Sequence, residues 1–174
     1  MKALAPLIAL LAAGCATTTR LDAAGDVHDL LVSIRDNDRK AFERHVDRDA
    51  LKRQIEGRMV RETRSSPAPE GLKALGYAFA QPAAEMASAM LIQPHALRLA
   101  AEHYGYTPDQ PIPGRLAIAG SLKDLGERQV CVTRTKGGPC LLTFTERGGN
   151  WKLTSFEGEL KDLRAGLAAA KGGS

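Results

Sequence analysis

The sequence lacks the short motifs that mark the common catalytic and nucleotide-binding sites. It contains no G-x-S-x-G, no H-E-x-x-H, no P-loop and no dinucleotide-binding fingerprint. The two cysteines of its second half are nine positions apart, too far for the C-x-x-C pattern of thiol redox proteins. No catalytic residue, metal ligand or cofactor is therefore predicted, and we expect a protein without enzymatic activity.

Aromatic residues are scarce, and charge of one sign is not concentrated anywhere. Aromatic residues make up 5% of the chain, and the formal net charge is +4. The most charged segment, residues 35–64, mixes both signs and does not interleave its basic residues with aromatic ones. Such a segment is typical of solvated helix surfaces, whereas single-stranded nucleic acid is bound by basic grooves with stacking aromatic side chains. We expect no nucleic-acid partner.

No apolar run is long enough to span a bilayer, but a short one opens the chain. Lys2 precedes an apolar stretch over residues 3–13, whereas a spanning helix needs roughly 20 residues. A basic start, a short apolar stretch and small residues at its end are typical of a secretory signal. The sequence Ala12-Ala13-Gly14-Cys15 resembles a bacterial lipobox, although its leucine, Leu11, lies one place earlier than usual.

The lipobox resemblance implies cleavage before Cys15 and attachment of lipid to its thiol. Two or three acyl chains bury enough methylenes to hold a protein on a membrane. Residues 1–14 would then be the signal, 15–25 a lipidated polar tether, and 26–170 a single domain. Because Ala16, not Asp, follows the cysteine, we expect the periplasmic face of the outer membrane, with the lipid bilayer as partner. The alternative is an ordinary signal peptide in which Cys15 has no role.

The remaining cysteines, Cys131 and Cys140, form an even pair in an exported chain and are predicted to form a disulfide. The alternative is two buried free thiols. A two-residue turn at Gly137-Gly138 would hold the cysteines too far apart to bond. A turn at residues 135–136, or a bulged loop of similar effect, would bring them together and is preferred. Both registers place the cysteines on the sheet face that carries Phe144.

The first half of the domain is predicted to be helical. Apolar stripes at helical spacing are formed by Val27, Leu30, Leu31 and Ile34, by Phe42 and Val46, by Leu51, Ile55 and Met59, and by Leu72, Leu75 and Phe79. Residues expected to cap the first three helices are Asp26, then Asn37 or Asp38, then Asp47 or Asp49. Pro82 and Pro94 are each predicted to begin a further helix.

The second half changes to strand periodicity. Alternation and β-branched content predict strands in RLAIAGSL, RQVCVTRT, CLLTFTE and NWKLTSFE. A two-residue turn at Gly148-Gly149 would place Phe144 opposite Leu153. Leucines at helical spacing in the last segment predict a short C-terminal helix. The fold class is therefore α+β, with N-terminal helices packed on a C-terminal antiparallel meander of about four strands.

Three stretches carry a family resemblance: VHDLLVSIRDNDRKAFERHVDRDALKRQI, LIQPHALRLAAE and TFTERGGNWKLTSFE. They resemble the uncharacterised bacterial family of unknown function numbered twenty-nine thirty-nine, over most of residues 27–157. The resemblance implies a small envelope domain, secreted or membrane-anchored, and carries over no catalytic residues. The closing strand is also similar to the NTF2-like and cystatin-like class of cone-shaped α+β domains, which hosts enzymes and binding proteins alike.

The expected function is binding or scaffolding at the membrane surface, with an envelope protein or a small apolar ligand as a further partner. One alternative is a lipid- or ligand-binding module with an enclosed apolar cavity, whose lining would be Met59, Phe79, Met86, Met90, Leu91 and Tyr104. A second alternative is an NTF2-like enzyme with a histidine–aspartate pair, either His45 with Asp47 or His28 with Asp29, turned into a pocket. The principal hypothesis predicts a filled core and outward histidines.

Overall fold

Helices occupy the first part of the chain and strands the part that follows. The computed structural model describes residues 5–103, 106–107, 109–133, 135 and 137–157. Six helices precede the sheet within these residues: α1 (Ala5–Arg35), α2 (Arg39–Arg44), α3 (Arg48–Ser65), α4 (Glu70–Leu91), α5 (Pro94–His103) and α6 (Arg115–Ser121). Four strands follow: β1 (Leu122–Gly126), β2 (Gln129–Thr133), β3 (Cys140–Arg147) and β4 (Asn150–Phe156). The predicted C-terminal helix lies outside the described residues.

The strands form one antiparallel sheet in the order β1-β2-β3-β4. Helices α1 and α3 pack against the sheet, and α4 packs mainly against α3. Between helices and sheet lies the core, whose largest buried members include Val27, Leu30, Phe42, Leu51, Ile55, Val130, Phe144, Trp151 and Leu153. The predicted α+β class and its meander of four strands are therefore confirmed.

Two predicted helix caps and one predicted turn are confirmed, because each depends on local chemistry. The Asp38 carboxylate accepts from the Ala41 backbone N–H at 3.0 Å and caps α2, and Asp47 caps α3 through Ala50 at 2.9 Å. Gly148 and Gly149 form the two-residue turn between β3 and β4 with φ of 62° and 82°, values that favour glycine. In that hairpin, Phe144 lies opposite Leu153 as predicted.

The start of the domain was predicted wrongly. Residues expected to form the later part of a tether, 17–25, are helical, and Ala23 and Ala24 are fully buried in the core. Asp26 therefore lies inside α1 and does not cap it. The helix continues upstream because an apolar face of small residues is available there for packing, although polar threonines precede it.

Two further elements differ from the predictions. Pro82 lies inside α4 and does not start a helix. Residues 78 and 82 are both exposed, so water can reach the carbonyl of residue 78 that lacks a helical donor. Residues 115–121 form α6, not a strand, because Leu116 and the alanines that follow are good helix formers. Its buried residues, Ile118 and Ala119, are adjacent in sequence and do not alternate.

The predicted disulfide between Cys131 and Cys140 is present, with Cα atoms 5.5 Å apart. Its register follows the bulged alternative: Cys131 lies opposite Thr143, and the pairing shifts between Val132 and Thr133 so that Thr133 faces Cys140. Val130, not Cys131, lies opposite Phe144. The prediction that Cys131 shares the Phe144 face is therefore wrong, since paired residues of an antiparallel ladder lie on one face.

Candidate functional site

The junction between α1 and β4 brings two carboxylates against a buried tryptophan. Trp151, in β4, is only 3% exposed. Its backbone N–H donates to Asp26 Oδ2 at 2.6 Å, and its indole Nε1–H donates to Asp22 Oδ2 at 2.9 Å. Because Asp22 and Asp26 are one helical turn apart on α1, both carboxylates reach the same strand. The sheet is thus held to the first helix through two acidic side chains.

His45 enters the same junction from the loop after α2. Its backbone N–H donates to the Phe42 carbonyl at 3.0 Å, and its carbonyl accepts from the Leu153 N–H at 2.9 Å. The next residue, Val46, forms a parallel bridge with Leu153. These bonds turn the imidazole inward, where the residue is 5% exposed and Nδ1 lies 3.4 Å from Asp26 Oδ1.

Asp29 completes a cluster with Asp26 and His45. One ligand-type atom from each of the three residues lies within 4.8 Å of the others, and we call this group the carboxylate–histidine cluster. The Asp29 carboxylate is exposed and also lies 3.3 Å from His28 Nδ1 and 3.5 Å from the Arg115 guanidinium. The cluster therefore runs from a buried imidazole to a solvent-facing carboxylate.

A cleft of about 480 Å³ adjoins this junction on the side of Asp22 and Trp151. Its lining is polar and contains carboxylates from Asp22, Asp124, Glu127 and Glu146, together with Arg128, whose guanidinium lies 2.5 Å from the Glu146 carboxylate. Neither His45 nor Asp26 lines it. The cleft is open and polar, and so differs from the enclosed apolar pocket expected for a lipid-binding module.

Among the described residues, three of the predicted cavity residues lie on the exposed surface of α4. Phe79 is 63% exposed and Met86 is 69% exposed on α4, and Met90 is also exposed. Met59 packs against the core, and Leu91 is half-buried. Tyr104 lies outside the described residues. Phe79, Met86 and Met90 are therefore not enclosed by the described residues, because their side chains face solvent.

The histidines divide between the competing hypotheses. His95 is exposed and contacts Arg98, and His28 is half-buried with its Nδ1 3.3 Å from the exposed Asp29 carboxylate. His45 is turned inward beside a carboxylate, as the histidine–aspartate alternative expects, but its partner is Asp26. Asp47 instead caps α3 and lies 2.8 Å from Arg147. The sequence signal for this group of acids was the spacing of residues 22, 26 and 29, which places them on one side of a helix. That spacing is informative only if the predicted helix is extended upstream of residue 26.

The model of one protein family matches residues 8–100, which is more than half of the chain. This chain belongs to the DUF2939 family, described as a protein of unknown function. Comparison with curated proteins found no match, and comparison with solved structures found none. The match to DUF2939 includes the carboxylate–histidine cluster and the whole of α4, while the sheet lies beyond it.

Among the described side chains of the DUF2939 match, most of the exposed large apolar ones lie on α4. Large apolar residues recur there at spacings of three, four and seven, which places them along one side of a helix. We call this set the α4 stripe: Leu72, Leu75, Phe79, Met86 and Met90, all exposed. The buried side of α4 consists of the small residues Ala80, Ala84 and Ser88. Such a contiguous exposed apolar surface is typical of a binding interface.

Among the residues described, no helix combines the length and the apolar character needed to cross a membrane. The side chain of Cys15, the predicted lipid attachment site, is not among those described. Its lipidation remains a prediction.

Proposed function

We propose that this DUF2939 protein is a lipid-anchored envelope protein that acts by protein binding, not by catalysis. The observation that carries the proposal is the α4 stripe, in which Phe79 and Met86 are 63% and 69% exposed. Anchoring through Cys15 would confine the domain to a membrane surface, where even weak contacts between proteins become populated because the effective concentration is high.

The chemistry of α4 favours a protein surface over a bilayer as its contact. Helices that lie in a membrane interface are rich in Lys and Arg on their polar face. In contrast, α4 contains one lysine, Lys73, and two acids, Glu70 and Glu85. Lys73 lies 3.0 Å from Glu70, and Glu85 lies 2.7 Å from Lys52 of α3. An apolar surface with Met and an aromatic residue and with few charges is typical of the centre of a protein interface.

The arrangement of the stripe favours a second copy of the chain as the partner. In an antiparallel pair of α4 helices centred near residue 81, Leu72 would lie opposite Met90, and Leu75 opposite Met86. The bulky Phe79 would lie opposite the small Ala83. The stripe is thus nearly complementary to itself, as a two-fold symmetric interface requires.

Cysteine cross-linking in bacterial membranes tests this interface. An Ala83→Cys variant of the full-length chain, treated with a short bis-maleimide, should form cross-linked dimers because residue 83 lies near the proposed two-fold axis. A Gly71→Cys variant should not, since residue 71 would lie at opposite ends of an antiparallel pair. Leu116→Cys is the matched control, because Leu116 is apolar and 80% exposed but lies on α6.

Adding Phe79→Glu to the Ala83→Cys variant should abolish the cross-link, because the charge would be buried in the interface. The proposed self-association is contradicted if the cysteine at position 83 reacts with a monofunctional maleimide yet never cross-links. Intact-mass measurement of the membrane-extracted protein tests the anchor independently, through a diacyl or triacyl mass on Cys15. An unlipidated mass would overturn the anchoring alone.

A further inference from the structure

We propose that the carboxylate–histidine cluster, Asp26, Asp29 and His45, binds a divalent transition-metal cation, with Zn²⁺ as the best chemical match. Imidazole nitrogen and carboxylate oxygen are both ligands that Zn²⁺ takes in proteins. The three ligand-type atoms lie within 4.8 Å of one another. This proposal is independent of the interface proposed for α4.

The distance between the two inner ligands matches metal coordination. Zinc bonds to imidazole nitrogen and carboxylate oxygen are about 2.0–2.2 Å long, so neighbouring ligands of a tetrahedral site lie about 3.4 Å apart. His45 Nδ1 and Asp26 Oδ1 are separated by 3.4 Å. Asp29 is exposed and on the next turn of α1, and its ligand atom already lies within 4.8 Å of the other two, so a small movement of this exposed side chain can close the set.

The burial of the His45 side chain and the missing hydrogen bond of its Nδ1 are a second and independent indication of a ligand. The His45 side chain is 6% exposed, and among the described residues its Nδ1 has no hydrogen-bond partner of acceptable geometry. A buried polar nitrogen without a partner is rare in folded proteins. A cation between Nδ1 and Asp26 Oδ1 would satisfy the nitrogen lone pair and the carboxylate together.

Both inner ligands are held in place by contacts outside the cluster. The other oxygen of Asp26, Oδ2, accepts from the Trp151 N–H at 2.6 Å. The backbone of His45 is fixed by bonds to Phe42 and Leu153. Orientation of metal ligands by such surrounding hydrogen bonds is the usual arrangement of protein metal sites. Three protein ligands leave a fourth position for water on the side of the exposed Asp29.

The positive charge of Arg115 would disfavour cation binding at this site, and this gives a further test of the proposal. Its guanidinium lies 3.5 Å from Asp29 Oδ1 and is 62% exposed, so it can move into solvent when a metal binds. Two carboxylates and a neutral imidazole balance the charge of one divalent cation. Removing the arginine charge should therefore increase metal affinity, whereas removing a ligand should decrease it.

The test is calorimetric titration of the full-length chain with zinc chloride, without a histidine tag and in a Cys15→Ser background that removes a competing thiol. Trp151 gives a second signal, because it is the only tryptophan and its backbone bonds to Asp26. We expect one Zn²⁺ per chain and a change in tryptophan fluorescence with the same midpoint. Asp26→Asn, Asp29→Asn and His45→Gln should each weaken binding at least tenfold, and Arg115→Gln should strengthen it.

Two matched variants serve as controls. His95→Gln removes an exposed histidine and Asp49→Asn an exposed acid, and neither should change the affinity. Asp29→Asn keeps the test decisive if His45→Gln fails to fold, since Asp29 is exposed and its loss leaves the core intact. The proposal is overturned if the wild-type chain does not bind Zn²⁺, or if Asp29→Asn binds it as tightly as wild type does.

Discussion

Asp22→Ala is the substitution that separates a helical, packed start of the domain from a flexible tether. Asp22 lies four residues before the predicted domain start, yet its carboxylate accepts the indole N–H of Trp151 at 2.9 Å. Trp151 is 3% exposed, but Asp22 is itself exposed and both residues line the open cleft, so water can partly replace the lost acceptor. A hydrogen bond to a charged group contributes about 1.5–3 kcal/mol, and solvent screening of an exposed carboxylate reduces this to the lower end or below.

We therefore expect Asp22→Ala to lower the free energy of unfolding by about 1–1.5 kcal/mol. For a domain of this size, that loss lowers the Tm by about 2–6 °C. Urea unfolding should be followed by far-UV circular dichroism, because the substitution itself changes the environment of the indole. Asp22→Asn should lose less, since the amide oxygen can still accept from Nε1.

Asp109→Ala is the matched control, because Asp109 is an exposed acid in the connector before α6. If Asp22→Ala and Asp109→Ala unfold at the same urea concentration, the Asp22–Trp151 hydrogen bond contributes nothing measurable to stability. The reasoning about the α1–β4 junction would then be refuted.

Three other perturbations have outcomes that follow from single contacts. Reduction of Cys131–Cys140, which closes a separation of nine residues, should lower the unfolding free energy by about 2–3 kcal/mol, measured in urea with and without dithiothreitol. Gly149→Val should cost about 1–2 kcal/mol in the same assay, because φ is 82° there. The hydrogen bond from Arg35 lowers the pKa of the Asp36 carboxyl below its ordinary value. The pair therefore stabilises the fold at pH values above the ordinary carboxyl pKa, and this stabilisation is lost as the pH falls through the lowered pKa of Asp36. Because both groups are exposed, Asp36→Asn should leave the midpoint of acid unfolding nearly unchanged.

Features that depend on neighbours in sequence could be predicted, whereas those that depend on distant partners could not. Asp38 and Asp47 cap helices because a carboxylate three residues before a free backbone N–H suffices. The Gly148-Gly149 turn likewise follows from the two residues themselves. Asp26 has the same side chain, but its oxygen is used by Trp151, 125 positions away. The residues next to Asp26 in the sequence do not distinguish it from a capping aspartate.

Periodicity also identifies a helix without saying which side of it is covered. The stripe of Leu72, Leu75 and Phe79 predicted a helix over part of α4 correctly, but Phe79 was expected in an interior and is exposed. The neighbouring helix α3 instead packs on the small residues of α4, since small side chains allow a close approach between helix axes. Leu116 and Ile118 alternate, and this predicted a strand where the structure has α6. An alternation over only a few residues is also compatible with a helix.

The continuity of α1 connects Cys15, the proposed lipid attachment site, to the carboxylate–histidine cluster. Cys15 and Asp26 belong to the same helix, Ala5–Arg35, and are eleven residues apart. At 1.5 Å per residue, that spacing is about 16 Å along the axis. A lipid on Cys15 would therefore hold the cluster at a nearly fixed, short distance from the bilayer, whereas a flexible tether would let it diffuse. Restricted orientation of this kind favours contact between two anchored copies, because it removes rotational freedom before their α4 stripes meet.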